Sequence, residues 1–451
     1  MPLPDLLPIR PFTRPARGEA PVPGSKSITN RALVCAALAQ GRSVLHDALF
    51  SDDSRHMAES LRQLGVGLVE DAQARSMAVE GLGGPPQIPA GTSPRVYVGN
   101  AGTAARFLPC LVAAGKGSVP FDSEPRMRER PMGALVHALE AQGAAFLAPE
   151  ADGQGLVRRT DRYPFTLVAN GLKGGEVEID LTDSSQFASG LLMAAPYAAR
   201  DLVLKAAGDR QQLPYVDMTA AVMGQFGVKV EASGGRFRVA AGQRYQALPS
   251  CRIEPDLSGA AYFFAAPALV PGRVTVLGVS NASIQGDLRF LKVLQHLGIR
   301  FYQEENGLTA ERFPDEPLRG GVTVDMNAFS DQALTLAALA PFASGPVKIV
   351  NVAHIRRQEC DRLHAIAENL AGLGVEVRES GDGVEIQPWP EERRRGGLIK
   401  TWGDHRVAMA FSLIGLKVPG IVIDDADCVA KTFADFWDVM DGLRAGAAHG
   451  S

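Results

Sequence analysis

One sequence unit recurs six times along the chain, and this repetition constrains the fold more than any other feature. Each copy is a short polar or glycine-bearing turn followed by an alanine- and leucine-rich helical stretch. The copies are GSKSITNRALVCAALA, NAGTAARFLPCLVAA, DSSQFASGLLMAAPYA, DLSGAAYFFAAPAL, SDQALTLAALAPFA and GDHRVAMAFSLIGL. Corresponding positions in successive copies lie 72 to 83 residues apart. Helices and strands alternate in any α/β protein, but this even spacing favours a true repeat.

The segments between the copies predict the rest of the unit. They contain β-branched runs such as VTVLGV and VKIVNV, which are typical of strands. They also contain second helical stretches that end in glycine before a strand, as in LRQLGV and VLQHLGI. Each unit is therefore predicted to be a βαβαββ-like module of an α/β protein. Six modules divide most simply into three and three, with a break near Cys251.

The polar helix starts carry most of the residues with chemical potential. The N-terminus of a helix offers free N–H groups and a partial positive charge, so several of them aimed at one cleft would bind anions. The chain as a whole is acidic, with a net charge of -4 and a pI near 6.1. This balance argues against a nucleic-acid partner, which would require an excess of basic residues. Positive charge for an anionic ligand must then be local.

Cysteine usage and hydropathy indicate a cytoplasmic protein. The five cysteines are widely spaced and form no CxxC pair, so neither a disulfide framework nor a metal site is suggested. No run approaches the ~18 consecutive apolar residues of a membrane span. The first twenty residues, broken by prolines and arginines, lack the apolar core of a signal peptide.

Two basic motifs lie in the first half of the chain. GSKSITNR differs from a Walker loop because Ser25 separates Gly24 from the lysine, which leaves Lys26, Ser27 and Arg31 as possible anion ligands at a helix start. Taken alone, this motif is better explained by a solvated, capped helix. In the segment EPRMRERP, alternation would direct Arg126 and Arg130 to one side, where they could clamp a phosphate or carboxylate. Its simpler interpretation is a solvated, charge-balanced loop.

Three further motifs lie in the second half. Glu359 and Arg362 in RRQECDRL are three residues apart, on one face of a predicted helix start. Taken alone, such a pair is usually a surface salt bridge. GDHR contains His405 and Arg406, and VAKTF contains Lys431.

In combination and in this order, the motifs resemble those of the 5-enolpyruvylshikimate-3-phosphate synthases, a family of enolpyruvyl transferases. The resemblance runs from residue 10 to residue 440 and includes GSKSxxNRAL, SDDxRHM, GNAGTAxR, EPRMRERP, SSQFxxxLLMAAP, PYxDMT, QGDxRF, ExDRL, GDHRxAM and AKTF. It implies a two-domain inside-out α/β barrel with three βαβαββ repeats in each domain. The first domain would span 25–250, and the second would span 251–451 and be completed by 1–24.

Carried over residue by residue, the resemblance implies a catalytic set and a substrate-binding set. The catalytic set is Lys26, Asp331, Glu359 and His405. The substrate-binding set is Lys26, Ser27, Arg31, Asn100, Gly102, Thr103, Arg126, Ser184, Ser185, Gln186, Tyr215, Asp331, Gln358, Arg362, Arg406 and Lys431. The phosphoenolpyruvate ligands in this set include Lys26, Arg126, Gln186, Arg362, Arg406 and Lys431.

The reaction implied by the family is addition followed by elimination. The 5-hydroxyl of shikimate 3-phosphate attacks C2 of phosphoenolpyruvate while C3 is protonated, and the tetrahedral adduct then expels phosphate. Glu359 and Lys26 are expected to transfer protons, and Asp331 to orient or deprotonate the hydroxyl. No metal or organic cofactor is required, because the substrate's own phosphate is the leaving group. The resemblance also implies a monomer, without a membrane partner, in chorismate and aromatic amino acid biosynthesis.

Three departures from the common family pattern affect the acceptor side. Gln358 stands where the family usually has lysine, Gln212 where it has serine and His354 where it has asparagine. In the family these positions help to hold the acceptor's phosphate, so one cation has been lost here. The departures leave open a paralogous transferase that acts on a different alcohol, phosphorylated or not.

Two other interpretations have less support. UDP-N-acetylglucosamine enolpyruvyl transferases use a cysteine on a flexible loop, and EPRMRERP contains none. A binding protein on a decayed scaffold would not retain Lys26, Asp331, Glu359 and His405 together.

Overall fold

The computed structural model describes residues 4–92, 94–149, 156–208 and 213–445, and Gln212 therefore lies outside the described residues. The chain separates into two compact units. Unit 1 consists of Met1–Pro23 and Glu254–Ser451, and unit 2 consists of Gly24–Ile253. The N-terminal segment is thus part of the same unit as the C-terminal half.

Thirteen α-helices occur in the described ranges. They are α1 (Lys26–Leu38), α2 (Asp52–Gln63), α3 (Gly102–Ala113), α4 (Pro125–Glu129), α5 (Gly133–Ala141), α6 (Gln186–Ala194), α7 (Pro214–Gln225), α8 (Leu257–Leu269), α9 (Leu288–Leu297), α10 (Ala333–Leu339), α11 (Arg362–Leu373), α12 (His405–Gly415) and α13 (Phe436–Ala445). The six predicted helical stretches correspond to α1, α3, α6, α8, α10 and α12 and are confirmed.

Strands connect these helices throughout the described chain. They are β1 (Leu6–Pro8), β2 (Ala16–Ala20), β3 (Gln40–His46), β4 (Gly67–Asp71), β5 (Ser76–Leu82), β6 (Val96–Tyr97), β7 (Lys116–Asp122), β8 (Ala145–Pro149), β9 (Leu156–Arg159), β10 (Phe165–Asn170), β11 (Gly175–Asp180), β12 (Leu202–Ala207), β13 (Val230–Ser233), β14 (Arg236–Val239), β15 (Cys251–Arg252), β16 (Gly272–Leu277), β17 (Arg300–Gln303), β18 (Gly307–Arg312), β19 (Val322–Asp325), β20 (Val347–Val350), β21 (Val377–Glu379), β22 (Val384–Ile386), β23 (Gly397–Ile399) and β24 (Ile421–Asp424).

The sheets repeat one pairing order, three sheets to each unit. In β15–β3–β5–β4 the first pair is parallel and the next two pairs are antiparallel. The same order occurs in β11–β12–β14–β13, in β2–β16–β18–β17 and in β19–β20–β22–β21. The sheet β6–β7–β10–β8 follows it and adds β9, while β23–β24–β1 has only its first three positions. The fold is α/β with mixed sheets.

The second helix of the module ends as the sequence predicts in five of the six cases. Helices α2, α5, α7, α9 and α11 are each followed within two residues by a glycine with a φ between 84° and 111°. This left-handed backbone strains any residue that carries a Cβ, so glycine ends the helix and redirects the chain into the next strand.

Buried helices form the centre of each unit. In unit 1 all residues of α8, α10 and α12 are buried, and these three helices pack on one another. In unit 2 the helices α1, α3 and α6 are buried except near their first residues. A helix that is apolar on all sides must be enclosed by other elements. Within each unit the polar side chains of these helices are therefore concentrated at the N-terminal ends.

None of the helices in the described ranges is both long and apolar enough to cross a lipid bilayer.

Phe263 of α8 tests the role of the helical core. Its side chain is fully buried and packs against Phe433 and Phe436, with ring centroids 5.8 and 5.7 Å away. We expect Phe263→Ala to lower the free energy of unfolding of unit 1 by about 3–5 kcal/mol in urea denaturation, because a cavity is left among rigid neighbours. Phe313→Ala in the same unit is the control, since that ring is 41 % exposed. Equal losses in the two variants would contradict the assignment of the core.

Candidate active site

The N-terminus of α1 in unit 2 begins with Lys26, which is held by a buried carboxylate. Its Nζ lies 3.1 Å from Oδ2 of Asp53, the second residue of α2. Ser25 precedes α1 but makes no capping bond, and its hydroxyl has no hydrogen-bond partner in the described chain. The sequence led us to expect a capped helix, and this expectation is wrong for α1. Its first N–H groups consequently have no side-chain cap.

Arg31, a predicted substrate ligand, is almost completely buried. Only 1 % of it is exposed, and its guanidinium stacks on Phe107 at 5.2 Å. It donates to the hydroxyls of Thr219 and Ser189 at 2.7 and 3.1 Å. It also donates to the backbone carbonyls of Ser27 (2.8 Å) and Tyr215 (3.1 Å).

These bonds connect α1 to α6 and α7. Burial lowers the pKa of Arg31 to about 10, a decrease that the nearby Tyr215 opposes. The arginine remains cationic at neutral pH, and it holds the backbone of two other predicted ligands, Ser27 and Tyr215.

The start of α3 brings together three residues from separate segments. A Cβ added to Gly102 would lie 3.4 Å from Nη1 of Arg130 and 3.6 Å from Oε1 of Gln186. The Nε and Nη1 atoms of Arg130 are buried and have no hydrogen-bond partner within the described ranges. The buried Oδ1 of Asn100, two residues before α3, likewise lacks one there. A guanidinium with unsatisfied buried donors beside an uncapped helix start is suited to an anion.

Arg126 has a different environment from Arg130. The alternation from which we predicted a shared side is wrong, because Pro125–Glu129 is a short helix rather than an extended segment. Arg126 forms an ion pair with Glu129 at 2.7 Å, and its side chain is 39 % exposed. Arg128 pairs with Asp122 at the surface.

Buried Arg106 contacts both sides of this turn, through Sδ of Met127 and the carbonyl of Pro131. It thereby holds the segment that carries Arg130.

The other predicted ligands of unit 2 surround the starts of α3 and α6. Thr103 is buried and accepts a hydrogen bond from Asn30 at 2.5 Å. Ser184 and Ser185 directly precede α6, and the hydroxyl of Ser184 accepts from the backbone N–H of Gln186 at 3.2 Å.

In unit 1 the candidate residues form one network of charges around Arg362. Only 1 % of its side chain is exposed, although it carries a full charge. Its Nε donates to Asp404 at 2.7 Å, its Nη1 to Asp331 at 3.0 Å and its Nη2 to Glu359 at 3.0 Å. Nη1 also contacts the side-chain oxygen of Gln358. Burial alone would lower the pKa of Arg362, but the three carboxylates raise it above its usual value.

Two further cations join this network. Arg406 lies 3.0 Å from Oδ2 of Asp331, and Lys431 lies 3.3 Å from Oε1 of Glu359. Three cations and three carboxylates therefore balance one another. An anionic substrate would replace carboxylates as the partner of these cations, which would release Asp331 and Glu359 for proton transfer.

The elements of unit 1 explain why these residues meet. Arg362 is the first residue of α11, His405 and Arg406 begin α12, and Asp331 lies in the turn before α10. Asp404 caps α12 by accepting from the N–H of Arg406 at 2.9 Å, so one carboxylate holds both a helix start and Arg362. His405 is fully buried, and its Nδ1 lies 3.7 Å from Oδ1 of Asp404. Glu359 precedes α11 rather than lying on it.

Several residues that the structure adds to the candidate site are missing from the sets predicted from the sequence. One is Arg130, which shares the motif EPRMRERP with the predicted ligand Arg126. Asp53 was visible only as part of SDDxRHM, and Asp404 only as part of GDHR. Asp287, in QGDxRF, is 5 % exposed, and no local feature of the sequence marks it as part of the site. These residues join the site through contacts with residues that are distant in the sequence, and no local sequence pattern predicts such contacts.

The arrangement defines an α/β protein whose buried helices carry cations and carboxylates at their N-termini. A sequence profile of the family described as EPSP synthase (3-phosphoshikimate 1-carboxyvinyltransferase) matches residues 13–440. The chain belongs to this family.

Similar proteins support the family assignment. The 3-phosphoshikimate 1-carboxyvinyltransferase of Nostoc punctiforme is 43 % identical over 434 residues, which cover 96 % of this chain and 98 % of the relative. That of Trichormus variabilis is 44 % identical over the same length and coverage. The solved structure of the Acinetobacter baumannii EPSP synthase has a similar fold, with a TM-score of 0.79 at 23 % identity, and 98 % of each chain is covered.

Asp404 provides a test of the charge network. Asp404→Asn leaves the amide oxygen as a helix cap but removes the negative charge closest to the Nε of Arg362. We expect the free energy of unfolding to fall by about 3–5 kcal/mol in urea denaturation, the usual cost of removing one partner of a buried ion pair. Asp441→Asn, which breaks an exposed pair with Arg444, should have no measurable effect. A stable Asp404→Asn protein would mean that Arg362 does not depend on this carboxylate.

Proposed function

We propose that the protein transfers the enolpyruvyl group of phosphoenolpyruvate to the 5-hydroxyl of shikimate 3-phosphate and releases phosphate, a step of chorismate and aromatic amino acid biosynthesis. The observation that carries the proposal is the buried network in which Arg362, Arg406 and Lys431 share the carboxylates of Asp331 and Glu359. The named activity of relatives that are 43 and 44 % identical over nearly the whole chain supports it.

We further propose the architecture that the family resemblance implies. It is a two-domain inside-out α/β barrel with three βαβαββ repeats in each domain, spanning 25–250 and 251–451 with 1–24. The recurring pairing order of three sheets in each unit supports this division. A monomer in the cytoplasm, acting on its two small substrates, is part of the same proposal.

Donor binding follows from the chemistry of phosphoenolpyruvate, which has a phosphate and a carboxylate. Two groups of cations are needed, and guanidinium groups bind both anions bidentately. Arg362, Arg406 and Lys431 form one group in unit 1. In unit 2 we assign Arg130 together with Lys26 and Gln186, and not Arg126, because Arg130 has the unpaired buried donors.

The proton transfers use residues that contact these cations. In the addition step Asp331 accepts the proton of the acceptor hydroxyl as its oxygen forms a bond to C2 of phosphoenolpyruvate. Glu359 or Lys26 delivers a proton to C3. In the elimination step the group that protonated C3 takes a proton back from C3, the bond between C2 and the phosphate oxygen breaks, and inorganic phosphate departs. Lys431 pairs with the carboxylate form of Glu359, and Asp53 pairs with the ammonium form of Lys26.

Shikimate 3-phosphate is the acceptor that the relatives' names favour over an unphosphorylated alcohol. Ser27, Arg31, Ser184, Ser185 and Tyr215 are its proposed ligands in unit 2. In unit 1, Gln358 contacts Arg362, and Nε2 of His354 lies 2.7 Å from the hydroxyl of Ser330. Neither contact requires an acceptor other than shikimate 3-phosphate.

Phosphate release tests the proposed reaction. The purified protein is mixed with phosphoenolpyruvate and either shikimate 3-phosphate or shikimate, and inorganic phosphate is followed. Release that depends on the phosphorylated acceptor supports the proposal. Release with shikimate but not with shikimate 3-phosphate would indicate the paralogous reaction, and release with neither would contradict the proposed acceptor.

Arg130 and Arg126 can be separated by matched substitutions. We expect Arg130→Gln to raise the KM for phosphoenolpyruvate about 30-fold or more, because charge-assisted hydrogen bonds to the anion are lost. Arg126→Gln should change this KM less than about three-fold, since its partner is Glu129 at the surface. The opposite order of effects would restore the assignment made from the sequence.

Gln358 is the position where a cation can be added. We expect Gln358→Lys to lower the KM for shikimate 3-phosphate about three- to tenfold, because a charged donor binds phosphate more strongly than an amide does. The KM for phosphoenolpyruvate should remain within about two-fold. Gln358→Met removes the amide without adding charge and should not lower either KM. An unchanged KM in the lysine variant would place Gln358 away from the acceptor's phosphate.

A further inference from the structure

Asp287 is a buried acid that the proposed chemistry does not use. It stands at the N-cap position of α9, yet its side chain makes no capping bond to that helix. Its Oδ1 instead accepts from the hydroxyl of Ser258 in α8 at 3.0 Å and from the side-chain amide of Gln332 at 2.9 Å. Asp287 and Ser258 are each 5 % exposed, and Gln332 is completely buried. Burying a carboxylate is costly unless it is well bonded, so this placement requires a reason.

Gln332 directly follows Asp331 at the end of a short 3₁₀ turn, Asn327–Gln332. The turn is irregular, with a non-helical backbone at Phe329. Backbone bonds from Phe329 to Met326 and from Ala333 to Ser330 span the turn. Asp331 itself pairs with Arg362 and Arg406. The amide of Gln332 fixes the end of the turn from both sides, since it donates to Asp287 and accepts from the hydroxyl of Thr335 at 3.3 Å. A side chain next to Asp331 is thus attached to a rigid, buried carboxylate on a neighbouring helix.

We propose that Asp287 is a positioning residue for Asp331: through Gln332 it anchors the turn that presents this carboxylate to the acceptor hydroxyl. The inference rests on the proposed function, in which Asp331 is the base.

Asp287 also interacts electrostatically with charged groups around it, in addition to its role in positioning the turn. Asp331 in the turn and Arg406 in α12 are close enough to act on it electrostatically. Burial raises the pKa of Asp287, and the Asp331 carboxylate raises it further. Gln332, Arg406 and Ser258 oppose this rise. Interactions between two acids are mutual, so the charge of Asp287 makes Asp331 more basic and opposes the effect of its two arginines.

Two substitutions at one position separate geometry from charge. Asp287→Asn retains a side-chain oxygen that can accept from Ser258 and Gln332, whereas Asp287→Ala removes it. We expect Asp287→Ala to lower kcat about 30-fold or more, with the KM for phosphoenolpyruvate within about three-fold. Asp287→Asn should retain kcat to within about five-fold at its pH plateau. Its acidic limb should shift to lower pH, because Asp331 then ionises more readily.

Ser258→Ala is the matched control, since it removes a bond to the same oxygen without releasing the turn. It should leave kcat within about two-fold. If Asp287→Ala does not fold, Gln332→Met breaks the same attachment and should lower kcat to a similar extent.

Wild-type turnover in the same assay distinguishes failure of the positioning role from failure of the proposed function. If the wild type transfers enolpyruvate and Asp287→Ala or Gln332→Met matches its kcat, the positioning role is refuted while the proposed function stands. Equal losses of kcat in Ser258→Ala and the attachment variants would also refute it, because the effect would then be a general loss of packing. If the wild type is inactive, the proposed function fails and this inference fails with it.

Discussion

The buried guanidinium of Arg362 is the interaction on which the rest of unit 1 depends. Burying a cation that is only 1 % exposed is costly unless the cation is paired, and three carboxylates surround this one. Those carboxylates come from separate segments: Asp404 at the start of α12, Asp331 in the turn before α10, and Glu359 just before α11. Because all three must reach one group, the starts of three elements are brought together. The fold therefore places proton-transfer groups and anion ligands next to each other.

This balance explains how an acidic protein can bind an acidic substrate. Without a ligand, the cations of unit 1 are neutralised by carboxylates that are themselves candidates for proton transfer. Under the proposed function, an anion bound to these cations would raise the proton affinity of the carboxylates that it displaces. In unit 2, within the described ranges, Lys26 pairs with Asp53, and the Nε and Nη1 atoms of Arg130 have no hydrogen-bond partner. Lys26 is a candidate for proton transfer in unit 2, as Asp331 and Glu359 are in unit 1.

The fold could be predicted from the sequence further than the site could. The repeat period and the glycines after α2, α5, α7, α9 and α11 are local signals, and they gave the helices and the α/β class. The motifs identified Glu359, Arg362, Arg406 and Lys431, which the structure brings together. The local sequence does not show which arginine of EPRMRERP has free donors, because this depends on a helical turn and on Arg106 beneath it. The roles of Arg31 and Asp287 depend on partners 29 to 188 residues away.

The most direct measurement is a single transfer reaction with phosphoenolpyruvate that carries ¹⁸O in the bridging oxygen, using shikimate 3-phosphate as the acceptor and mass spectrometry of both products. Addition at C2 followed by elimination breaks the bond between carbon and the bridging oxygen. The account therefore predicts an enolpyruvyl ether of the acceptor without label, and inorganic phosphate that contains all of it. Label that remains with the three-carbon unit would show that the bond to phosphorus is cleaved and would contradict the account. Phosphate released without formation of the ether would contradict the proposed transfer.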